Sequence, residues 1–213
     1  MLRTLTLPCF FLGAMLAGSS TTLCAQDADD VRNRRWFVDV KYGSLKPISV
    51  PSVSGRGKTR VVWYVMLKLT NKTGKARKLD LGARALTPQD KRNKEAAPGL
   101  YPEVVKAIAK VEKVKKLENV LSVSGNFDEN ATKRVVILFP NLTRLGNKVD
   151  VRVSGLTNTL FRAGNNVWRE DTELSLKFHR IGDEHNIGDA KVIDKGKSWV
   201  TLSRKKLPRS QKP

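Results

Sequence analysis

Cysteine and histidine are scarce in this sequence, which has two of each in 213 residues. Zinc ribbons, iron–sulfur centres and disulfide scaffolds need more ligands or more thiols, so these classes of protein are excluded. Acidic residues are also few, since 20 Asp and Glu stand against 40 Lys and Arg. The resulting net charge of +20 is the strongest single property of the chain.

Long hydrophobic runs are absent after the first 25 residues. A membrane-spanning helix needs about 20 apolar residues in succession, so the mature chain is predicted to have no transmembrane span. Apolar residues nevertheless make up 40% of the sequence, which is enough for a packed core and argues against a disordered chain. The length suits a single domain, with or without tails.

The first 25 residues have the pattern of a secretory signal peptide. Arg3 is followed by an apolar run from Leu5 to Leu16, and small polar residues lead on to Ala25. Cleavage is predicted after Ala25, which removes every cysteine. A Cys just after the cut is the site of lipid attachment in lipoproteins, but the bulky Leu23 before Cys24 disfavours such an anchor. The mature protein is therefore predicted to be exported, either periplasmic or secreted.

The mature chain is predicted to be mainly β. Apolar residues alternate from Arg60 to Asn71. One face of this segment is wholly apolar and the other changes from apolar to polar, as in a central strand of a sandwich near its rim. Shorter alternating segments follow, including Arg134–Phe139, Val149–Val153 and Glu173–Phe178, and further short strands are predicted at Lys191–Ile193 and Trp199–Leu202. Several short strands separated by turn residues, such as Gly125 and Asn126, favour a β-sandwich.

One amphipathic helix is predicted at about 102–117. Pro102 suits the first position of a helix, and Val104, Ile108 and Val111 recur at spacings of four and three residues. The domain organisation that follows is listed from the N-terminus: a signal peptide at 1–25, a flexible arm at 26–35, a β-sandwich domain at 36–204 and a basic disordered tail at 205–213.

Basic residues are concentrated between Arg56 and Lys94, where 12 Lys and Arg accompany two acids. Such a surface attracts polyanions through the release of their counterions. Outside the cytoplasm the candidate partners are anionic polysaccharide, lipid headgroups and extracellular nucleic acid. The residues predicted to bind them are Arg56, Lys58, Lys72, Lys75, Arg77, Lys78, Lys91, Arg92 and Lys94.

Solubility charge that is spread evenly over the surface is the plainer interpretation of the same residues. In that case the chain is a protein–protein interaction module of the envelope, and its charge is incidental. Sheet edges or the helix then provide the docking surface. The sequence leaves both interpretations open.

Catalytic and metal-binding patterns are weak. His179, Asp183 and His185 lie within seven residues, and imidazole and carboxylate groups together bind divalent metals. A metal-dependent hydrolase is therefore a third hypothesis, although Gly182 indicates a turn and not a helical zinc motif. The acids at 170–173 are too close in sequence to indicate the two carboxyls that glycoside hydrolysis sets across a cleft. The chain is predicted to be non-enzymatic and to need no cofactor.

The strand and turn from Trp63 to Gly74 resemble those of exported bacterial proteins with an immunoglobulin-like β-sandwich. A group of uncharacterised members of this class is similar over about Trp36 to Arg204. The further matching segments are Pro102–Val104, Val153–Leu156, Phe178–Glu184 and Ser198–Val200. The resemblance implies an immunoglobulin-like sandwich with one inserted helix. It implies no catalytic residue, and the Cys pair of typical immunoglobulin domains is missing here.

Sequencing the N-terminus of the exported protein tests the first of these predictions. The mature chain is expected to begin at Gln26 and to react with no thiol reagent, because Cys9 and Cys24 leave with the signal peptide. A native protein that begins at Met1 and stays inside the cell would contradict the assignment.

Overall fold

The computed structural model describes residues 35–51, 59–92, 94–163, 166–181 and 191–207. The predicted signal peptide, most of the predicted arm and residues 208–213 of the predicted tail lie outside these ranges. Strand accounts for 60% of the described residues, and the mainly β class is thereby confirmed.

The described residues form strands in the order of the chain. These are β1 (Asp39–Tyr42), β2 (Lys46–Pro51), β3 (Thr59–Thr70), β4 (Arg77–Asp80), β5 (Gly82–Leu86), β6 (Glu95–Ala96), β7 (Glu118–Asn119), β8 (Ser124–Phe127), β9 (Thr132–Phe139), β10 (Lys148–Ser154), β11 (Leu160–Ala163), β12 (Asn166–Ile181) and β13 (Lys191–Lys206). One α-helix, α1 (Pro102–Val111), and one 3-10 helix, Val120–Ser122, lie between β6 and β8 in the described chain.

The strands form two large sheets and one small one. The five-stranded sheet has the order β1-β3-β9-β7, with β2 also paired to β3. The six-stranded sheet has the order β11-β12-β10-β5-β6, with β13 also paired to β12, and β4 and β8 form a separate pair. All pairings are antiparallel except that of β7 with β9.

The two large sheets share one apolar core. Val65 of β3 and Ile137 of β9 lie in the same buried cluster as Val151 of β10 and Leu176 of β12. Residues two apart on a strand lie on the same face, so each sheet presents its alternate residues to this core. The core therefore lies between the five-stranded and the six-stranded sheet.

The opposite face of β3 is covered by α1. Val62 and Tyr64 are buried there in a second apolar cluster with Val104 and Ile108 of the helix. These two helical residues are four apart and lie on one side of α1, which turns its lysines away from the sheet. The sequence pattern predicted that this face changes from apolar to polar along the strand, and α1 covers its apolar part.

The helix ends earlier than the predicted 102–117. Its last residue is Val111, and Lys113 then adopts a left-handed backbone with a φ of 53°. The amide of Val114 donates to the Ala109 carbonyl at 2.8 Å, and the amide of Lys113 donates to the Lys110 carbonyl at 3.3 Å. This is a Schellman ending with lysine at the position where glycine is usual. The apolar spacing continues to Val114, but the backbone reverses there and leads into β7.

Several strand boundaries also differ from the predicted ones. Lys191–Ile193 and Trp199–Leu202 were expected as separate strands, but both belong to β13. Gly196, with a φ of 94°, lies beside a register irregularity that keeps the two halves continuous. Gly125 and Asn126 were expected in a turn, but they lie within β8 and pair with β4.

Membrane-spanning helices are absent from the part of the chain that the structure describes. The ten-residue α1 is much shorter than the apolar length that a bilayer requires.

A buried asparagine joins two turns at one end of the molecule. Asn71, which is 0% exposed, follows β3 in the turn that leads to β4. Its amide nitrogen donates to the carbonyls of Phe127 and Lys75 at 2.7 and 2.8 Å, and its side-chain oxygen accepts from the hydroxyl of Thr73 at 2.7 Å. One side chain thus satisfies backbone groups from the β3–β4 turn and from the end of β8.

Replacing Asn71 with alanine is expected to lower the free energy of unfolding by about 3 kcal/mol, because several buried backbone groups lose their partners. Urea unfolding of the mature chain measures the loss. Asn126→Ala, at an exposed position of β8, is the matched control and is expected to change stability by less than about 0.5 kcal/mol. Similar effects from both variants would contradict the structural role of Asn71.

Candidate anion-binding face

Three cations form a row across the five-stranded sheet. Lys41 of β1 lies directly opposite Lys68 of β3, and Lys68 lies directly opposite Arg134 of β9. Directly opposite residues of antiparallel strands project from the same face, with their Cβ atoms about 5 Å apart. This face is the one that carries α1, because Arg134 alternates with the buried Val136 of the second cluster.

No acid of the described ranges forms a salt bridge with the row. Within the described residues, none of its three members makes a salt bridge, and all three are exposed. Asp39 is the nearest carboxylate along β1, but it pairs with Lys72 at 2.9 Å. The hydrogen bond from Lys72 lowers the pKa of Asp39, so that carboxylate is ionised and already matched. Like charges directly opposite each other destabilise a sheet, so this row is an electrostatic cost in the free protein.

A cleft of about 360 Å³ opens beside the row. Five basic residues and one acid are among those that line it: Lys68, Lys115, Lys116, Lys133, Arg134 and Glu118. Glu118 lies 3.5 Å from Lys116 and 3.7 Å from Lys133, so its single charge is shared between two ammonium groups. The cleft therefore keeps a net positive charge of four.

Hydroxyl groups border the same cleft. Thr132 is part of its lining, and its hydroxyl lies 3.3 Å from that of Thr70 in the row next to the cations. Hydroxyls donate to phosphate, sulfate and carboxylate oxygens as readily as to each other. Ammonium, guanidinium and hydroxyl donors together suit an oxyanion better than a metal or an apolar ligand.

The end of α1 positions the two lysines that complete the cleft. Glu112 accepts a hydrogen bond from the Tyr64 hydroxyl at 2.7 Å and forms an ion pair with Lys46 at 2.8 Å. These contacts fix the helix end to the sheet, and the reversal at Lys113 sends the chain back over β3. Lys115 and Lys116 then line the cleft together with Lys68, at the polar end of β3.

The sequence-predicted polyanion residues lie elsewhere and in separate groups. Arg56 and Lys58 lie outside the described residues. Lys72, Lys75, Arg77 and Lys78 lie in β4 and in the turn before it, and Lys91, Arg92 and Lys94 lie in the connection between β5 and β6. In the described chain β4 pairs with β8, whereas β5 and β6 belong to the six-stranded sheet.

Part of the predicted set has structural partners. Arg77 donates to the Thr73 hydroxyl at 2.7 Å, and its guanidinium lies 4.9 Å from the centre of the Trp36 ring. Burial lowers the pKa of Arg77 below its usual range, as expected for a cation packed on an indole. Lys72 is held by Asp39, whereas Lys78 and Arg92 are exposed. Polyanion binding by these residues stays a prediction.

His179 lies on β12 beside a second cavity, of about 390 Å³. It is directly opposite Lys148 of β10, and Lys177 and Lys195 line the same cavity. One acid, Asp150, also lines the cavity, and the three ammonium groups outnumber it, which disfavours a divalent cation. The other two predicted metal ligands, Asp183 and His185, lie outside the described residues. No group of three or more potential metal ligands occurs in the described ranges, and the metal hypothesis stays a prediction.

The acids at 170–173 do not form a pair. Glu170 is buried and contacts Arg35 at 2.5 Å, whereas Glu173 lies on the opposite face of β12 and contacts Arg84 at 2.9 Å. Burial alone raises the pKa of Glu170, but a hydrogen bond from Thr201 and the charge of Arg35 outweigh burial and lower it. Both carboxylates therefore serve as ion-pair partners within the fold.

No family model, curated protein or solved structure significantly matches this chain. The resemblance to exported immunoglobulin-like proteins stays a prediction.

Sequence reasoning missed this face because its members are far apart in the chain. The alternation of β3 placed Lys68 at the polar end of that strand, which was a usable signal. Lys41 and Arg134 could join it only through the register of three strands, and Lys115 only through the early end of α1. Neither property can be read from local spacing.

Acid unfolding tests the attachment of the helix end. The Lys46 and Tyr64 hydrogen bonds lower the pKa of Glu112, so its stabilisation is present above the unfolded value near 4.5 and is lost as the pH falls through the folded value. Glu112→Gln is expected to cost about 1 kcal/mol at pH 7, and the difference from wild type is expected to shrink between pH 5 and pH 3.

Urea unfolding at each pH gives these differences. Glu129→Gln, in an exposed turn, is the matched control and is expected to leave stability unchanged. A Glu112→Gln deficit that stays constant down to pH 3 would show that the ionised carboxylate does not hold the helix.

Proposed function

We propose that this protein is an exported, non-enzymatic binding module of the cell envelope that docks on anionic polymers. The docking surface, called here the basic face, consists of Lys41, Lys68, Lys115, Lys116, Lys133 and Arg134. We further propose that its two large sheets form an immunoglobulin-like sandwich, a proposal supported by the core that they share. The signal-peptide pattern supports export.

The observation that carries this proposal is the row of three cations, none of which has a salt-bridge partner among the residues that the structure describes. Lys41, Lys68 and Arg134 repel one another in the free protein, so an anion that neutralises them is bound more tightly than it would be by isolated charges. Solubility alone does not require cations at directly opposite positions of three neighbouring strands.

The ligand chemistry follows from the donors. Strands lie about 4.8 Å apart, so neighbouring cations of the row can contact one oxyanion or two adjacent ones. A polymer with closely spaced phosphate, sulfate or carboxylate groups fits this pattern and gains further hydrogen bonds from Thr132. Polysaccharide, nucleic acid and anionic lipid surfaces share this chemistry, and the experiment separates them.

Charge reversal of the row tests the proposal. The double variant Lys68→Glu/Arg134→Glu is expected to bind heparin about tenfold more weakly or worse, since each basic residue near an anionic surface contributes about 1 kcal/mol. A plot of the logarithm of the binding constant against the logarithm of the salt concentration has a negative slope. For this variant the slope is expected to be shallower by about two. Heparin, double-stranded DNA and vesicles with phosphatidylglycerol are the three arms, measured from 50 to 300 mM salt.

The control is Lys78→Glu/Arg92→Glu, which makes the same change in net charge on exposed residues of the sequence-predicted set. It is expected to keep at least half of the wild-type affinity. Equal losses in both variants would show that net charge, and not the basic face, governs binding. Wild-type protein that binds none of the three ligands at 50 mM salt would overturn the proposal.

A further inference from the structure

The last strand presents a long unpaired edge. β13 has 16 residues and pairs only with β12 among the described strands. The other strands at the edges of the two large sheets, namely β1, β2, β6, β7 and β11, have two to six residues each. No residue of β13 is buried. Its far side therefore offers a row of backbone N–H and C=O groups, which is a template for another strand.

The charge of β13 determines which strand it can accept. It carries six basic residues and one acid: Lys191, Lys195, Lys197, Arg204, Lys205, Lys206 and Asp194. A second copy of β13 would place like charges opposite each other, which is how natural edge strands avoid self-association. A strand rich in Asp and Glu has the complementary charge.

A regular central segment of β13 provides the register. Lys197 to Thr201 pair without interruption against Thr172 to Leu176, between two register irregularities. Trp199 lies at the middle of this segment and stacks on Phe37, with ring centroids 4.7 Å apart. Both rings remain more than one third exposed, at 39% and 38%. An apolar side chain of an added strand can pack on this aromatic pair.

We propose that β13 accepts an extended acidic segment of another protein as an additional strand of the six-stranded sheet. Backbone hydrogen bonds along Lys197–Thr201 supply the affinity, and Lys205 and Lys206 select acidic side chains. An apolar residue at the centre of that segment packs on Trp199. This surface belongs to the six-stranded sheet and contains no residue of the basic face, so the two proposals fail independently.

A synthetic peptide tests the proposal. The probe is a ten-residue peptide in which Glu alternates with Val and a Phe occupies a central position. It is expected to bind the mature protein and to slow hydrogen–deuterium exchange of the free-edge amides within 197–201 by at least tenfold. The same peptide with N-methylated central amides cannot add as a strand and is expected to bind at least tenfold more weakly.

Two variants with equal charge changes complete the test. Lys205→Glu/Lys206→Glu is expected to weaken peptide binding at least fivefold, whereas Lys106→Glu/Lys110→Glu on α1 leaves it within twofold. Urea unfolding verifies that both variants are folded. Equal binding of the methylated peptide would overturn strand addition, and so would binding without protection of β13. The proposal also fails if the probe does not bind at 1 mM, or if the edge amides are already protected in the protein alone.

Discussion

The fold depends on one constraint, which is that the central strand β3 is apolar on both of its faces. A strand of this kind has to be covered twice, and each buried Val, Leu or Trp gains about 2 kcal/mol from leaving water. The six-stranded sheet covers one face of β3, through Trp63 and Val65. The helix α1 covers the other, over Val62 and Tyr64. Both layers of the molecule are thus consequences of the same twelve-residue segment.

The candidate site follows from where this coverage stops. The outer face of β3 changes from apolar to polar at Lys68, beyond the reach of α1. The helix ends above Tyr64, where Glu112 is held by Tyr64 and Lys46, and the returning chain adds its lysines to the exposed end of the sheet. A basic cleft therefore forms at the boundary between the covered and the uncovered part of one sheet face.

Lysine and arginine have different roles in this basic chain. Several arginine guanidinium groups lie over aromatic rings, as Arg60 does over Tyr101 at 4.2 Å and Arg180 over Trp63 at 5.1 Å. Planar guanidinium groups pack on rings while keeping their hydrogen bonds, which suits them to structural positions. The exposed positive charge consists mainly of lysine. Part of the formal net charge therefore belongs to arginines that have a structural role. Arg134 is an exception, because no ring or acid holds it in the described part of the chain.

The sequence by itself determined the mainly β class, the position and start of the helix, and the apolar character of β3, because these properties follow from local periodicity and from Pro102. It also determined the sign of the net charge, since composition fixes that sign. Only the tertiary structure decided which cations meet, because Lys41, Lys68 and Arg134 join through strand register and lie far apart in the chain. The early end of α1 depended on the backbone turn at Lys113, because lysine does not indicate a left-handed conformation. The single long β13 depended on Gly196, because a glycine permits a positive φ without showing whether the strand ends there or continues.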